Sequence, residues 1–213
     1  NGGWVMTFAL DAAGIERACR VLAARAPALA EVMRQTGPPP VRRLAPGFTS
    51  LARLVVGQQV SVAAAAGIWA RLETRLGAVT PEALAAADDA ALRAAGLSRA
   101  KVRYLRALAA AVRDRTLDLA RIAAADDVTA SATLRQVPGI GAWTAELYLI
   151  FALGRPDLWP AGDLAARTAL NRMLTGPGPR PTPRQSAIQA APFAPHRSAL
   201  ALLSWHVYTA NPF

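Results

Sequence analysis

The sequence LRQVPGIGAWTAELYLIFALGRPDLWPAGD, residues 134–163, determines how the rest of the chain is interpreted. Its apolar residues recur at helical spacing on both sides of a Pro-Gly-Ile-Gly turn. The pattern predicts one helix that ends at Val137 and a second helix at about 142–153, because the prolines and glycines between them interrupt regular structure. A loop then leads to a lone acidic residue, Asp163, which we expect at the start of another helix.

A Pro-Gly-x-Gly turn between two helices resembles the helix-hairpin-helix, a module that binds a DNA phosphate. A phosphate needs several converging N–H groups, and the N-terminus of a helix supplies them together with its dipole. Both glycines can adopt positive φ, which lets a phosphate approach the backbone closely. The predicted donors are the backbone amides of Gly139, Gly141 and Ala142 and the hydroxyl of Thr144. An ordinary helix–helix turn is the alternative, whereas a dinucleotide-binding loop would need a preceding strand that the sequence lacks.

Composition and charge restrict the class of protein. The 213 residues are rich in alanine and leucine and poor in aromatic residues, which favours an all-α fold. A net charge of +10 favours nucleic acid or another polyanion as partner, although a basic surface without that role is also compatible. Cys19 is the only cysteine, which excludes an intrachain disulfide, a cysteine-ligated zinc and a four-cysteine iron–sulfur cluster. No apolar run reaches the roughly 18 residues of a membrane span.

Asp163 follows the sequence Trp-Pro-Ala-Gly at the expected start of a helix. An aspartate at such a position is by default an N-cap. The same placement suits catalysis, because the helix dipole favours a negative charge there and a carboxylate can stabilise positive charge that develops nearby. Cleavage of an N-glycosidic bond generates such a charge on the sugar, so the two interpretations are compatible.

Four segments of the chain together resemble one protein family. They are residues 134–163, 54–64 (LVVGQQVSVAA), 92–105 (LRAAGLSRAKVRYL) and 197–205 (RSALALLSW). They are similar to the helix-hairpin-helix DNA glycosylases, and more narrowly to the AlkA-like branch, the DNA-3-methyladenine glycosylases II. The resemblance covers about residues 48–208, and its motifs occur in the order found in that family.

The resemblance implies roles for residues of the hairpin and of the loop after it. Asp163 falls on the family's catalytic aspartate. The positions that fall on its phosphate-binding turn are Gly139, Gly141 and Thr144. The backbone carbonyls that fall where the hairpin commonly holds a monovalent cation, Na⁺ or K⁺, are those of Arg135, Val137 and Ile140. No other cofactor is implied.

The resemblance also implies a base pocket and a wedge. Aromatic walls of the pocket match Trp143 and Trp205, each of which could instead be a core tryptophan. Many relatives carry an aromatic residue one helical turn after Trp143, where this chain has Leu147. Gln59, beside Gln58, falls on the side chain that fills the gap left by a flipped base. A bulky apolar residue can occur there, and the two glutamines could also simply connect two helices.

The absence of a lysine from the hairpin motif, residues 134–163, bears on the nucleophile. Glycosylases that also cut the strand use a lysine amine, which related enzymes place at the position held here by Trp143. Lys101 is the only lysine, and it lies outside the hairpin motif in a helix that we expect to be peripheral. The sequence therefore predicts water as the nucleophile. Asp163 would either orient that water or stabilise the sugar cation.

These observations predict an all-α protein of two helical lobes with a DNA-binding cleft between them. One lobe would comprise residues 1–50 and 161–213, and the other, residues 51–160, would carry the hairpin. The expected activity is excision of alkylated bases from double-stranded DNA by a monomeric protein in the bacterial cytoplasm, without membrane association. The alternatives are a glycosylase for oxidised or deaminated bases and an inactive helix-hairpin-helix DNA-binding protein.

Overall fold

The computed structural model describes residues 9–210, and this part of the chain is all-α, as predicted, with no strand. None of its helices is long and apolar enough to cross a membrane. In chain order the helices within these residues are α1 (Ala12–Arg25), α2 (Pro27–Thr36), α3 (Phe48–Gly57), α4 (Val62–Leu76), α5 (Pro81–Ala86), α6 (Asp89–Ala94), α7 (Arg99–Arg113), α8 (Leu119–Ala124), α9 (Asp127–Leu134), α10 (Ala142–Phe151), α11 (Leu164–Thr175), α12 (Pro183–Ala190) and α13 (Arg197–Ala210), with a 3₁₀ turn at Ala191–Phe193.

Side-chain caps define most helix starts, as their sequence signals predict. Ser61, Ser98 and Thr182 each accept a hydrogen bond from the backbone N–H three residues later, at the starts of α4, α7 and α12. Pro27 separates α1 from α2 because proline suits the first turn of a helix and not its interior. Local chemistry thus sets these boundaries.

Two helix starts differ from the sequence prediction. The sequence at the start of α3 predicts Thr49 or Ser50 as its cap, but the N-cap is Gly47. Ser50 lies inside the helix, and its Oγ donates to the carbonyl of Ala45. The first hairpin helix, α9, starts after Asp126 and not at Thr129 or Ser131, because the carboxylate of Asp126 accepts from both N–H and Oγ1 of Thr129. The hairpin helices also end earlier than expected, at Leu134 and Phe151.

The described residues divide into two compact units, one of residues 9–43 and 149–210 and the other of residues 44–148. These boundaries precede the predicted ones at about 50 and 160. Residues 44–50 belong with the hairpin because α3 packs on α4 and α7. Residues 149–160 belong with the C-terminal helices because Arg197 of α13 forms an ion pair with Asp157.

In the unit of residues 44–148, α7 lies at the centre and packs against α3, α5 and α6. Its apolar face, Val102, Leu105 and Leu108, is buried. The expectation that the helix of Lys101 is peripheral is therefore wrong. The sequence pattern showed an amphipathic helix correctly but could not show how many helices its apolar face would contact. In the other unit, α13 packs on α11, α1 and α2.

Candidate functional site

Gly139 defines the geometry of the hairpin turn. It has a φ of +90°, and a Cβ at this position would lie 2.2 Å from Cγ of Tyr104 on α7. The turn is closed by a hydrogen bond from the N–H of Ile140 to the carbonyl of Val137. Glycine is thus required at residue 139 both by the backbone conformation and by the packing of the tyrosine.

The other two backbone amides predicted to bind a phosphate are those of Gly141 and Ala142. Gly141 does not adopt positive φ, but it is exposed, and a Cβ there would meet no atom within 4 Å. Ala142 is also exposed and begins α10, where the N–H groups of the first turn lack intrahelical acceptors. The backbone at residues 141–142 is therefore accessible to an anion.

Thr144, predicted as a side-chain phosphate donor, is a buried residue. The residue is 1 % exposed, and its Oγ1 accepts a hydrogen bond from Nε2 of Gln58 at 2.9 Å. The amide nitrogen of Gln58 also donates to the carbonyl of Gly139 at 2.8 Å. Gln58, which we predicted together with Gln59 as a DNA-binding residue, thus bonds to the hairpin. This contact was not predictable from the sequence because the partners are 81 and 86 residues apart.

Gln59, the residue predicted as the wedge, lies between two helices. It is exposed in the short connection between α3 and α4 and has a φ of +55°, which is unusual for a residue with a side chain. Both glutamines lie in the connection between α3 and α4. Of the two, only Gln59 has an exposed side chain.

Lys101 is engaged in holding the end of α3. Its Nζ donates to the carbonyl of Val56 at 2.7 Å, and burial lowers the pKa of its ammonium group. A carbonyl near the C-terminus of a helix lacks an intrahelical donor, so the bond satisfies an otherwise unpaired acceptor. The geometry explains the lysine as a structural residue of the unit of residues 44–148.

Trp143 and Leu147 lie one turn apart on α10. The indole of Trp143 is half-buried, whereas Leu147 is 6 % exposed. The adjacent Tyr148 is fully buried, and its hydroxyl accepts a hydrogen bond from the N–H of Gly47. Of the two predicted pocket residues on this helix, Trp143 thus has the more accessible side chain.

Asp163 is the N-cap of α11, as its sequence position suggested. Its Oδ1 accepts from the N–H of Ala166 at 2.8 Å and from Nε1 of Trp205 at 3.0 Å. The Trp205 side chain is 8 % exposed, and its ring packs against Phe151 with 5.2 Å between ring centroids. The family resemblance implies Trp205 as a wall of the pocket, but it does not predict the bond to the aspartate. A separation of 42 residues carries no local signal for such a bond.

The loop before Asp163 is attached to α13 as well. The guanidinium of Arg197 forms hydrogen bonds with both carboxylate oxygens of Asp157, and this contact lowers the pKa of that carboxyl group. Oγ of Ser198 accepts from the N–H of Leu158, and Trp159 donates to Oγ of Ser186 on α12. The loop is thus fixed to α13 at its first residues and to α12 at Trp159, and Asp163 itself bonds to Trp205 of α13. These contacts give Asp163 a defined position.

The predicted cation ligands are carbonyls that follow the end of α9. The carbonyl of Val137 accepts the turn bond from Ile140, and Arg135 is exposed. Oxygen donors of this kind suit a hard monovalent cation, so the residues fit the group in chemistry. Among residues 9–210 no group of three or more His, Cys, Asp or Glu side chains could hold a metal ion.

Substitution of Trp205 by Phe tests the bond to Asp163. The change keeps an aromatic ring against Phe151 but removes the N–H donor. Given the DNA glycosylase activity that the sequence predicts, we expect the rate of the chemical step to fall roughly tenfold with DNA affinity unchanged. Trp69→Phe is the matched control, since Nε1 of Trp69 donates to the carboxylate of Glu73 in the other unit. Single-turnover rates that respond equally to both changes would contradict a specific role for Trp205.

Comparison with known proteins gives consistent matches. Residues 52–193 match the family described as HhH-GPD superfamily base excision DNA repair protein. The chain is 34% identical over 166 residues to a probable bifunctional transcriptional activator/DNA repair enzyme AlkA of Mycobacterium tuberculosis, covering 72% of this chain and 32% of that protein. It is 31% identical over 168 residues to DNA-3-methyladenine glycosylase 1 of Schizosaccharomyces pombe, covering 74% and 71%.

A solved structure has the same fold. The 3-methyladenine DNA glycosylase of S. pombe in complex with abasic DNA superposes with a TM-score of 0.81 and 28% identity, covering 89% of this chain and 95% of that one. The chain thus spans about a third of the length of the M. tuberculosis relative but most of the length of the yeast structure.

Proposed function

Because the chain belongs to the HhH-GPD superfamily of base excision DNA repair proteins, we propose that it is a monofunctional DNA glycosylase for alkylated bases. Its substrates would be bases of the 3-methyladenine and 7-methylguanine type in duplex DNA. The observation that carries the proposal is the carboxylate of Asp163, fixed by the N–H groups of Ala166 and Trp205. The 3-methyladenine glycosylases among its relatives support the substrate class.

The proposed reaction is hydrolysis at C1′ of the sugar. The C1′–N bond breaks with both electrons leaving on the base, so an alkylated base that carries a positive charge departs as a neutral molecule. The sugar becomes cationic, and the negative charge of Asp163 stabilises it. Water then adds to C1′ and loses a proton, which gives free base and an abasic site.

Water is proposed as the nucleophile because no lysine takes that place. Trp143 stands where related strand-cutting enzymes carry lysine. Lys101 donates to the carbonyl of Val56, and this bond holds its amine in a structural contact. The indole of Trp143 would also attract a cationic base through a cation–π interaction, which favours alkylated over neutral purines.

Duplex DNA is the proposed partner. The exposed backbone at Gly141 and Ala142 would bind a phosphate at the start of α10, and the net charge of +10 would strengthen the association. Gln59 would fill the space of the flipped base, which offsets part of the cost of unstacking. The carbonyls of Arg135, Val137 and Ile140 would hold Na⁺ or K⁺ and fix the turn.

A panel of duplexes tests the substrate class. Each duplex carries one modified base: 7-methylguanine, 3-methyladenine, 8-oxoguanine or uracil. We expect release of the two methylated purines at least tenfold faster than of the others, because only they leave as neutral molecules without prior protonation. Faster release of 8-oxoguanine or uracil would favour another glycosylase specificity, and binding without release of any base would favour an inactive DNA-binding protein.

A further inference from the structure

Gln58 joins the connection that carries Gln59 to the hairpin turn. Its Nε2 donates to the carbonyl of Gly139 at 2.8 Å and to Oγ1 of Thr144 at 2.9 Å. A carbonyl oxygen can only accept, so the amide nitrogen must face the hairpin. One side chain thus contacts both the turn and the first helical residues of the second hairpin helix.

Helix α7 contacts both the end of α3, just before Gln58, and the hairpin turn to which Gln58 bonds. Lys101 donates to the carbonyl of Val56, two residues before Gln58, and Tyr104 packs against Gly139. The two side chains are three residues apart and therefore lie on one face of the helix. Since α7 is anchored by fully buried apolar residues, the connection after α3 and the hairpin turn rest on one fixed support.

The backbone of the connection stores some strain. Gln59 has a φ of +55°, in the left-handed region that residues with a side chain rarely adopt. Such a conformation persists where its surroundings hold it. The preceding residue, Gln58, forms two hydrogen bonds through its side chain, and both are to the hairpin that is proposed to bind a phosphate.

We propose that Gln58 is a positioning residue that couples the insertion of Gln59 into the base stack to phosphate binding at the hairpin. The proposal rests on the DNA glycosylase function proposed above. The hydrogen bond to the carbonyl of Gly139 fixes the peptide plane between Gly139 and Ile140, because that plane is rigid. An ordered hairpin then favours the backbone that presents Gln59, and by reciprocity an inserted Gln59 favours the hairpin that holds the phosphate.

A double-mutant cycle tests the coupling. The probes are a duplex with a tetrahydrofuran abasic-site analogue and the same duplex without it, and the readout is the ratio of the two affinities from fluorescence anisotropy. We expect Gln58→Leu and Gln59→Ala each to reduce this ratio roughly tenfold, since each removes the contribution of an inserted side chain. The double variant should lose no more than Gln59→Ala alone.

Two controls separate positioning from simple stability. Gln189→Leu removes a half-buried glutamine amide that donates to Asn171 in the other unit, and it should leave the affinity ratio unchanged. Gln58→Glu keeps the size of the side chain but removes its N–H donor. If Gln58→Leu does not fold, Gln58→Glu takes its place in the cycle. Additive losses in the double variant, or an unchanged ratio in the folded Gln58 variant, would overturn the coupling.

The binding cycle is independent of base release. If wild-type protein releases no methylated base but the cycle shows coupling, the proposed activity fails and the positioning role stands. If wild-type protein releases methylated bases but Gln58→Leu keeps its affinity ratio, the activity stands and the positioning role fails.

Discussion

Replacement of Asp163 by Asn is expected to slow excision of 7-methylguanine by roughly 100- to 1,000-fold under single-turnover conditions. The reason is the loss of the negative charge that stabilises the sugar cation. The protein should still fold, because asparagine is as good an N-cap as aspartate and its side-chain oxygen can accept from Ala166 and Trp205.

Affinity for abasic duplex is the second readout for Asp163→Asn, and it should change less than threefold. Asp88→Asn is the matched control, since Asp88 is the N-cap of α6 and accepts from the N–H of Ala91 in the other unit. Its excision rate should equal that of the wild-type protein. A rate for Asp163→Asn within threefold of wild type would show that Asp163 is only a cap.

Replacement of Gly139 by Ala is expected to have the largest effect on stability, lowering the free energy of unfolding by about 2–4 kcal/mol. A residue with a Cβ at a φ of +90° is strained, and this Cβ would overlap the ring of Tyr104. Because the overlap involves Cγ and Cβ of the tyrosine, the ring cannot avoid it by a small rotation. Chemical denaturation followed by circular dichroism measures the change.

Gly141→Ala separates the two roles of the hairpin glycines. Its Cβ would enter open space, so stability should change by less than about 0.5 kcal/mol. The added methyl group would nevertheless stand where a phosphate approaches the start of α10, so affinity for duplex DNA should fall. Equal losses of stability for the two variants would contradict the structural distinction between residues 139 and 141.

The sequence predicted those parts of the fold that depend on neighbouring residues. Ser61, Ser98 and Asp163 were identifiable as caps because each bonds to an amide three residues later. The Pro-Gly-x-Gly turn between α9 and α10 was also predictable, because it too is specified by neighbouring residues. Such features need only one helical turn of sequence to specify them.

The contacts that organise the candidate site are long-range and were not predictable. Nothing near Thr144 shows that its hydroxyl is buried under Gln58, and nothing near Trp205 shows its bond to Asp163. Each contact depends on how separate helices pack, which the periodicity of one helix does not encode. The sequence motifs therefore predicted candidate residues for the site, whereas the structure shows the hydrogen bonds that Gln58, Thr144 and Trp205 form.

The most direct test of the account is the fate of a duplex that carries one 7-methylguanine after incubation with the wild-type protein. We predict that free 7-methylguanine appears in solution while the DNA strand stays intact until alkali cleaves the abasic site, because water is the nucleophile. Strand cleavage without alkali would contradict the monofunctional mechanism. Absence of the free base, with the duplex bound, would contradict the glycosylase function itself.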